Sequence, residues 1–217
     1  MKKFTVIAID GGAGTGKSTT SQLISSQFNF LHVDTGSHYR SIAAALINCN
    51  ISESDALDSR NLNKIELDSE INQNKSIVTI NGLSFPQKLL RSAKINSRVS
   101  SYSSVPGIRS LLLDYQQSQL KLAQDNNFAG IVMEGRDIGT VILPEADLKL
   151  FLTANESIRN LRRIQDGETD QIAVRDRLDS SRKIAPLTES TDSIVLDTSV
   201  LSIKDVLSRV SQLIHNL

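Results

Sequence analysis

Three features of this 217-residue sequence predict an α/β fold, a doubly wound parallel sheet with helices on both faces. Short apolar runs recur along the chain. Helical stretches alternate with them. A glycine-rich turn joins the first strand to the first helix. Phe4 to Ile9 is apolar and β-branched and reads as a buried parallel strand. The turn spans Gly11 to Gly16, and Lys17 to Phe28 follows as a helix with Ile24 and Phe28 at helical spacing. Phe30 to Val33 predicts a second strand, and Ser37 to Asn48 a helix with Ile42, Ala45 and Leu46 along one stripe. Between about residues 65 and 104 the rhythm breaks. Ile65 to Leu67 and Ser76 to Ile80 read as strands and Asn81-Gly82 as a hairpin-type turn, so this stretch is expected to be a small inserted subdomain. Val105 to Asn126 predicts a long helix, and Gly130 to Met133 and Leu148 to Leu152 predict strands. Two polar, arginine-bearing helices follow. Ser193 to Leu196 is the last expected strand and Ser202 to His215 the last helix.

Composition excludes several function classes. Lys+Arg and Asp+Glu both number 24, so no surplus of positive charge marks a nucleic-acid binder. Apolar residues make up 39% and charged residues 22%, ordinary values for a packed domain. Cys49 is the single cysteine, which precludes an internal disulfide and a cysteine-rich zinc site and fits a reducing cytosol. The apolar run after Met1-Lys2-Lys3 is too short for a secretion signal, and no run reaches the ~20 residues of a membrane span. The expectation is a cytoplasmic protein with no membrane or nucleic-acid partner.

Gly11-Gly12-Ala13-Gly14-Thr15-Gly16-Lys17-Ser18 fits G-x-x-x-x-G-K-[ST] in its required context, strand before and helix after. Glycines let the backbone wrap a phosphate with its N–H groups pointing inward, and the helix beginning near Lys17 adds the positive end of its dipole. Gly11 to Thr19, with Lys17 on the β and γ phosphates and Ser18 as the Mg²⁺ ligand, form the expected nucleoside triphosphate site. The dinucleotide motif G-x-G-x-x-G fails, because starting at Gly12 its last position is Lys17. No D-x-x-G is found, and Asn63-Lys64-Ile65-Glu66 carries the wrong acid for a GTPase.

Two further segments sit where parallel strands end at a ligand crevice. In Asp34-Thr35-Gly36-Ser37-His38-Tyr39-Arg40, Arg40 could fork around an acceptor phosphate and Tyr39 could lie against a base. Equally, Asp34 or Thr35 caps the next helix and Arg40 is a solvated charge. Glu134-Gly135-Arg136-Asp137-Ile138-Gly139-Thr140 places three charges at the end of a buried strand, which is costly unless they serve a ligand or pair. Arg159, Arg162 and Arg163 share one helix face, and Arg175, Asp179 and Arg182 share one face of the next. They form either a solvated face or an arginine lid that closes over phosphates.

Together these residues resemble the bacterial cytidylate kinases, within the nucleoside monophosphate kinases, over nearly the whole chain. Asp34-Thr35-Gly36 with Tyr39-Arg40, Gly135 to Val141, and Ala185-Pro186-Leu187 carry the resemblance, supported by Val78 to Gly82, Leu90-Arg91-Ser92 and Val105 to Arg109. The resemblance implies transfer of a phosphoryl group from ATP to CMP or dCMP, with Mg²⁺. It implies that Ser100, Arg109 and Asp137 read the cytosine and that Arg40 and Arg136 hold the acceptor phosphate. Asp34 and Tyr39 belong to the same acceptor site. The resemblance further implies that Arg175 and Asp179 lie near the acceptor sugar and Arg182 on the phosphates, and that the catalytic set is Lys17, Arg136 and Arg182. Arg159, Arg162 and Arg163 fall in a lid of about residues 159–183 on the donor side. Residues 65–104 correspond to the acceptor-binding subdomain, inserted in a core of residues 1–64 and 105–217, and the family is expected to act as a monomer. The chain departs from the family at Gly12-Ala13, where proline and a small residue are usual, and at Ser37-His38, where an apolar pair is usual. The stretch from Arg163 to Arg175 is also shorter than in many relatives.

Two rival readings are a P-loop kinase for another small molecule and a nucleotide-binding regulator without transfer activity. Asp137 and Arg109 argue against the first, and the intact Lys17, Ser18 and arginine set against the second. His32, His38 and His215 are scattered and suggest no metal triad, and His38 is expected at the surface. Cys49 has no base beside it and is not expected to be a nucleophile.

Overall fold

A computed structural model describes residues 3–167 and 172–217. Residues 168–171 of the expected lid lie outside the described residues. Seven strands form one sheet in the order β3-β4-β2-β5-β1-β6-β7. They are β1 (Thr5–Gly11), β2 (Phe30–Asp34), β3 (Leu67–Asn72), β4 (Lys75–Ile80), β5 (Gly130–Gly135), β6 (Leu148–Thr153) and β7 (Ile194–Asp197). All neighbours are parallel except β3 and β4. The helices are α1 (Lys17–Phe28), α2 (Thr35–Asn48), α3 (Gln87–Leu90), α4 (Ala93–Asn96) and α5 (Val99–Ser103), then α6 (Pro106–Asp125), α7 (Glu156–Gln165), α8 (Ile172–Ser180) and α9 (Ile203–His215). Among the described residues no helix is long and apolar enough to cross a membrane.

The apolar runs bury both sheet faces because successive side chains alternate. Ile7, Ile9 and Val132 pack with Ile24 of α1 and with Val206 and Val210 of α9. Ala8, Ile131 and Met133 pack on the opposite face with Ala123 of α6. A third cluster joins α2 and α6 to residues 65–104, through Val78, Ile80, Leu90, Val99 and Tyr102.

Residues 65–104 supply a sheet edge and three short helices. β4 meets β2 at one parallel register point, His32 opposite Lys75, and β3 lies antiparallel outside it. The first of these strands begins at Leu67 and runs to Asn72, later than its apolar start suggested. Leu-Asp-Ser-Glu-Ile-Asn is polar at alternate positions, as suits an edge strand facing water. The β3–β4 turn falls at Gln73-Asn74. Asn81 (φ 52°) and Gly82 (φ 76°) instead make a separate tight turn, closed by Ile80 and Leu83. Ile138–Ile142 forms a single π-helical turn after β5, where β-branched residues mask any helical signal.

Candidate active site

The carboxyl ends of β1, β2 and β5 open onto one crevice, at the place an open α/β sheet binds ligands. After β1 the chain wraps as a phosphate loop. Gly14 (φ 73°) and Gly16 (φ 93°) adopt conformations that disfavour any side chain, and Gly16 delivers the chain directly into α1. The Lys17 ammonium donates to the Gly12 carbonyl at 2.7 Å. Burial, reinforced by the Arg136 cation, pushes Lys17 from 10.5 down to about 7. Glu134, Asp176 and Asp10 oppose this shift, and phosphate oxygens in the loop would add to their counter-charge.

Helix α7 braces the loop from outside. Arg159 donates to the Ala13 carbonyl at 3.2 Å, and Arg162 to the Gly14 carbonyl at 3.2 Å and the Thr198 carbonyl at 2.7 Å. Helix α8 reaches the same loop through Asp176, which accepts the Ala13 N–H at 3.2 Å and pairs with Arg159. Arg163 instead lines a cavity of about 420 Å³ together with Lys17, Ser18, Arg40, Arg136 and Arg175. Asp34 lies on this wall and also caps α2, its carboxylate accepting the Ser37 N–H at 3.1 Å. Arg40 is buried and donates to the Leu90 carbonyl at 2.8 Å and to Asn96, so it is not a solvated charge. Arg91 completes the cationic wall.

A second, smaller cavity of about 60 Å³ adjoins the first, and Gly36, Gly135, Arg136 and Arg175 line both. Tyr39, Ser100, Asp137, Asp179 and Arg182 form its far walls. Arg109 pairs with Asp137 and lies 5.5 Å from the Tyr39 ring centre. Burial raises the Asp137 carboxyl and the Arg109 charge opposes it. Burial also pushes Tyr39 up to about 12. Asp179 joins the expected residues: it takes Arg136 at 2.9 Å, Arg182, and the Ser100 hydroxyl at 3.4 Å. Burial alone would raise its carboxyl, but Arg136, Arg182 and Arg175 hold it below the usual range. Arg182 lies two residues beyond the end of α8, so it reaches Asp179 from the following loop rather than along the helix.

Four residues at the site were given no role from the sequence, although Glu134 was legible as one of three charges at the end of a buried strand. Asp10 accepts the N–H groups of Ile138 and Gly139, each at 2.8 Å, and so holds the turn that carries Arg136 and Asp137. Glu134 accepts the Ser18 hydroxyl at 2.8 Å and meets His32 Nε2 at 2.8 Å. Asp176 is the fourth. Their only signals were a carboxylate at the end of an apolar strand for Asp10 and Glu134, and two-residue spacing from Asp34 for His32. His38 is corrected: it is 0% exposed, stacked edge-on against Tyr115 at 5.0 Å, because α2 turns this face into the core. Burial holds its ring near pKa 4. Cys49 is exposed, just past the end of α2.

The chain matches the family model described as cytidylate kinase over residues 7–216. It is 35% identical over 219 residues to a cytidylate kinase of Clostridium botulinum, covering 96% of each chain. It is 37% identical over 229 residues to a cytidylate kinase of Caldicellulosiruptor bescii, covering 100% of this chain and 98% of that one. Among solved structures it is similar to a sugar kinase from Janibacter, with a TM-score of 0.51 and 12% identity over 98% of this chain and 95% of that one. An uncharacterized protein from Eubacterium ventriosum gives a TM-score of 0.51 at 10% identity, over 98% of this chain and 99% of that one. At such identities the two structures bear on the fold alone.

Proposed function

The chain belongs to the cytidylate kinase family, and on that premise we propose that it transfers the γ-phosphoryl group of ATP to CMP or dCMP, giving ADP and CDP or dCDP. One observation carries the mechanism: the phosphate-loop cavity and the Asp137 cavity are contiguous and share Arg136 and Arg175. A donor triphosphate in the first and a nucleoside monophosphate based in the second would meet at those arginines. The loop amides and Lys17 hold the β and γ phosphates of the donor, and Arg163 covers them. Arg40, Arg91 and Arg136 hold the acceptor phosphate. Asp137 accepts from the cytosine amino group, and Arg109 and Ser100 donate to the ring nitrogen and carbonyl. Asp179 and Arg175 face the sugar. No covalent intermediate is required, because the chain's contribution is alignment and charge.

The residues present fit Mg²⁺. Among the described residues no group of three His, Cys, Asp or Glu forms a cation cage. Mg²⁺ needs none, since it keeps several waters and takes one or two protein groups beside substrate phosphates. Ser18 would hold it: its hydroxyl hydrogen goes to Glu134 at 2.8 Å, which leaves its lone pairs for a cation. When bound, Mg²⁺ neutralises charge on the transferring phosphates.

In this reading residues 65–104 are the acceptor-binding subdomain and residues 159–183 the lid. The chain acts as a monomer in this reading, as the resemblance implies, and a cytoplasmic location suits the substrates. The test is coupled ADP release with ATP and Mg²⁺ against CMP, dCMP, UMP, AMP and GMP. Selective turnover of CMP and dCMP is expected. Turnover of a purine monophosphate alone would remove the base-reading assignment, and no turnover with any would remove the transfer itself.

A further inference from the structure

One buried contact lies outside every role assigned so far. His32 sits in β2 and Glu134 in β5, 102 residues apart in sequence, and both are 2% exposed. The strands are adjacent and parallel, with Asp34 opposite Glu134, so His32 is the diagonal neighbour of the carboxylate. His32 Nε2 lies 2.8 Å from Glu134 Oε1, while Glu134 Oε2 accepts the Ser18 hydroxyl at 2.8 Å. A carboxylate whose two oxygens both accept fixes the donor: Nε2 carries the hydrogen. Nδ1 is buried and meets no partner among the described residues.

The contact has a direction. Ser18 opens α1 directly after Lys17. Its hydroxyl can rotate freely unless its hydrogen has a fixed acceptor. Glu134 supplies that acceptor, but a carboxylate on its own can turn about its last torsion. His32 removes the freedom by holding the other oxygen. We propose that His32 is a positioning residue for the cation site: through Glu134 it locks the Ser18 hydroxyl with its lone pairs turned toward the phosphates. The inference rests on the proposed role of Ser18 as the Mg²⁺ ligand and deepens it. It also implies that His32 affects the cation and not the loop amides or the acceptor pocket. Groups bonded directly to a metal ligand, the place Glu134 takes here, typically contribute about 10- to 100-fold in metal affinity, and His32 acts one bond further out, so its share falls at the lower end.

The experiment measures Mn²⁺ binding to the enzyme–ADP complex by electron paramagnetic resonance, and ADP binding in EDTA by calorimetry, on the full chain. His32→Leu, His32→Gln and Ser18→Ala are compared with the parent. His32→Leu is expected to weaken Mn²⁺ about tenfold, the lower end for a group that supports a metal ligand. ADP affinity in EDTA and the KM for CMP should stay within about twofold. His32→Gln restores a side-chain donor of similar reach and should recover most of the Mn²⁺ affinity. Unchanged Mn²⁺ affinity in His32→Leu, with a loss in Ser18→Ala, would overturn the role of His32 and leave Ser18 standing. Unchanged affinity in both would remove the Ser18 assignment as well. An equal loss of ADP affinity in EDTA, or no recovery in His32→Gln, would reduce His32 to a structural residue and overturn the inference.

Discussion

Asp137→Asn separates recognition from stability at the base pocket. Asp137 is 2% exposed and pairs with Arg109, which also donates to the Ser103 carbonyl at 3.3 Å. Asparagine keeps the size and one acceptor oxygen, and it replaces the second oxygen with an amide donor. Full truncation of one partner in a buried ion pair costs about 3–5 kcal/mol. The retained hydrogen bond in asparagine reduces that to about 2 kcal/mol. For a chain of this length the melting temperature should fall by about 4–8 °C. Recognition changes separately. A hydrogen bond to a charged acceptor is worth about 1.5–3 kcal/mol, so kcat/KM for CMP should fall about 10- to 150-fold. Uracil presents a carbonyl where cytosine presents its amino group. It gains a partner in the new amide, so UMP should lose less or improve. The assay is kcat/KM for CMP and UMP by coupled ADP release at saturating ATP and Mg²⁺, beside thermal denaturation. A fallen melting temperature with an unchanged CMP-to-UMP ratio would show that the pair only holds the pocket together and would refute the base-reading argument.

Lys17→Ala should lower turnover about 100- to 1000-fold, the usual effect of removing one preorganised donor from developing charge. The melting temperature should hold or rise, because a buried ammonium pushed to about 7 is removed; near-normal turnover would refute its role. Asp176→Asn removes a negative charge from the Ala13 amide, and ATP should bind about fivefold more tightly in calorimetry, for about 1 kcal/mol of repulsion relieved; equal or weaker binding would refute this. His38→Leu should widen its stability advantage as pH falls from 6.5 to 4. The unfolded histidine takes up a proton near 6.5 while the folded one resists until about 4, so stability drains from the parent across that window, by roughly 3 kcal/mol. Asp10, raised to about 6, acts in the opposite direction, losing stability as pH rises, but it is present in both proteins and cancels in the difference. A pH-independent gap in melting temperature between the two would refute the assignment.

The parts of the site legible in the sequence are those built from neighbours in the chain. The phosphate loop is one, because its glycines have positive φ where the motif requires them. α1 is another, running from Lys17 to Phe28 as expected, since Gly16 and Asn29 at its two ends both take the left-handed conformation. What stayed hidden depends on strand order and register. His32 and Glu134 meet only because β2 and β5 are adjacent, and Asp10 meets Ile138 and Gly139 only because β1 lies beside β5. The polar edge strand β3 gave too weak a pattern to bound. His38 misled because its type argued for the surface while α2 turned it inward. The resemblance implied a more apolar pair at this position; the burial of the histidine itself was not legible.

The hidden pairings bear on how the site binds its substrates. Arg109, Arg136 and Arg182 gather at the smaller cavity and Arg159 braces the loop beside it, and unpaired they would repel each other and suffer desolvation. The chain answers with its own carboxylates: Asp137 for Arg109, Asp179 for Arg136 and Arg182, and Asp176 for Arg159. An incoming nucleotide therefore does not have to strip water from free guanidinium groups. At Arg136 and Arg182 its phosphates compete with a carboxylate already in place, so affinity there is a difference between two sets of ion pairs. Such an exchange favours a ligand carrying several phosphate oxygens over one carrying a single carboxylate. It also ties the two cavities together, because any ligand that draws Arg136 away from Asp179 leaves that carboxylate to Arg182 and so changes how readily Arg182 is released. On this argument binding of the acceptor alone should already alter affinity for the donor, through one aspartate shared by two arginines.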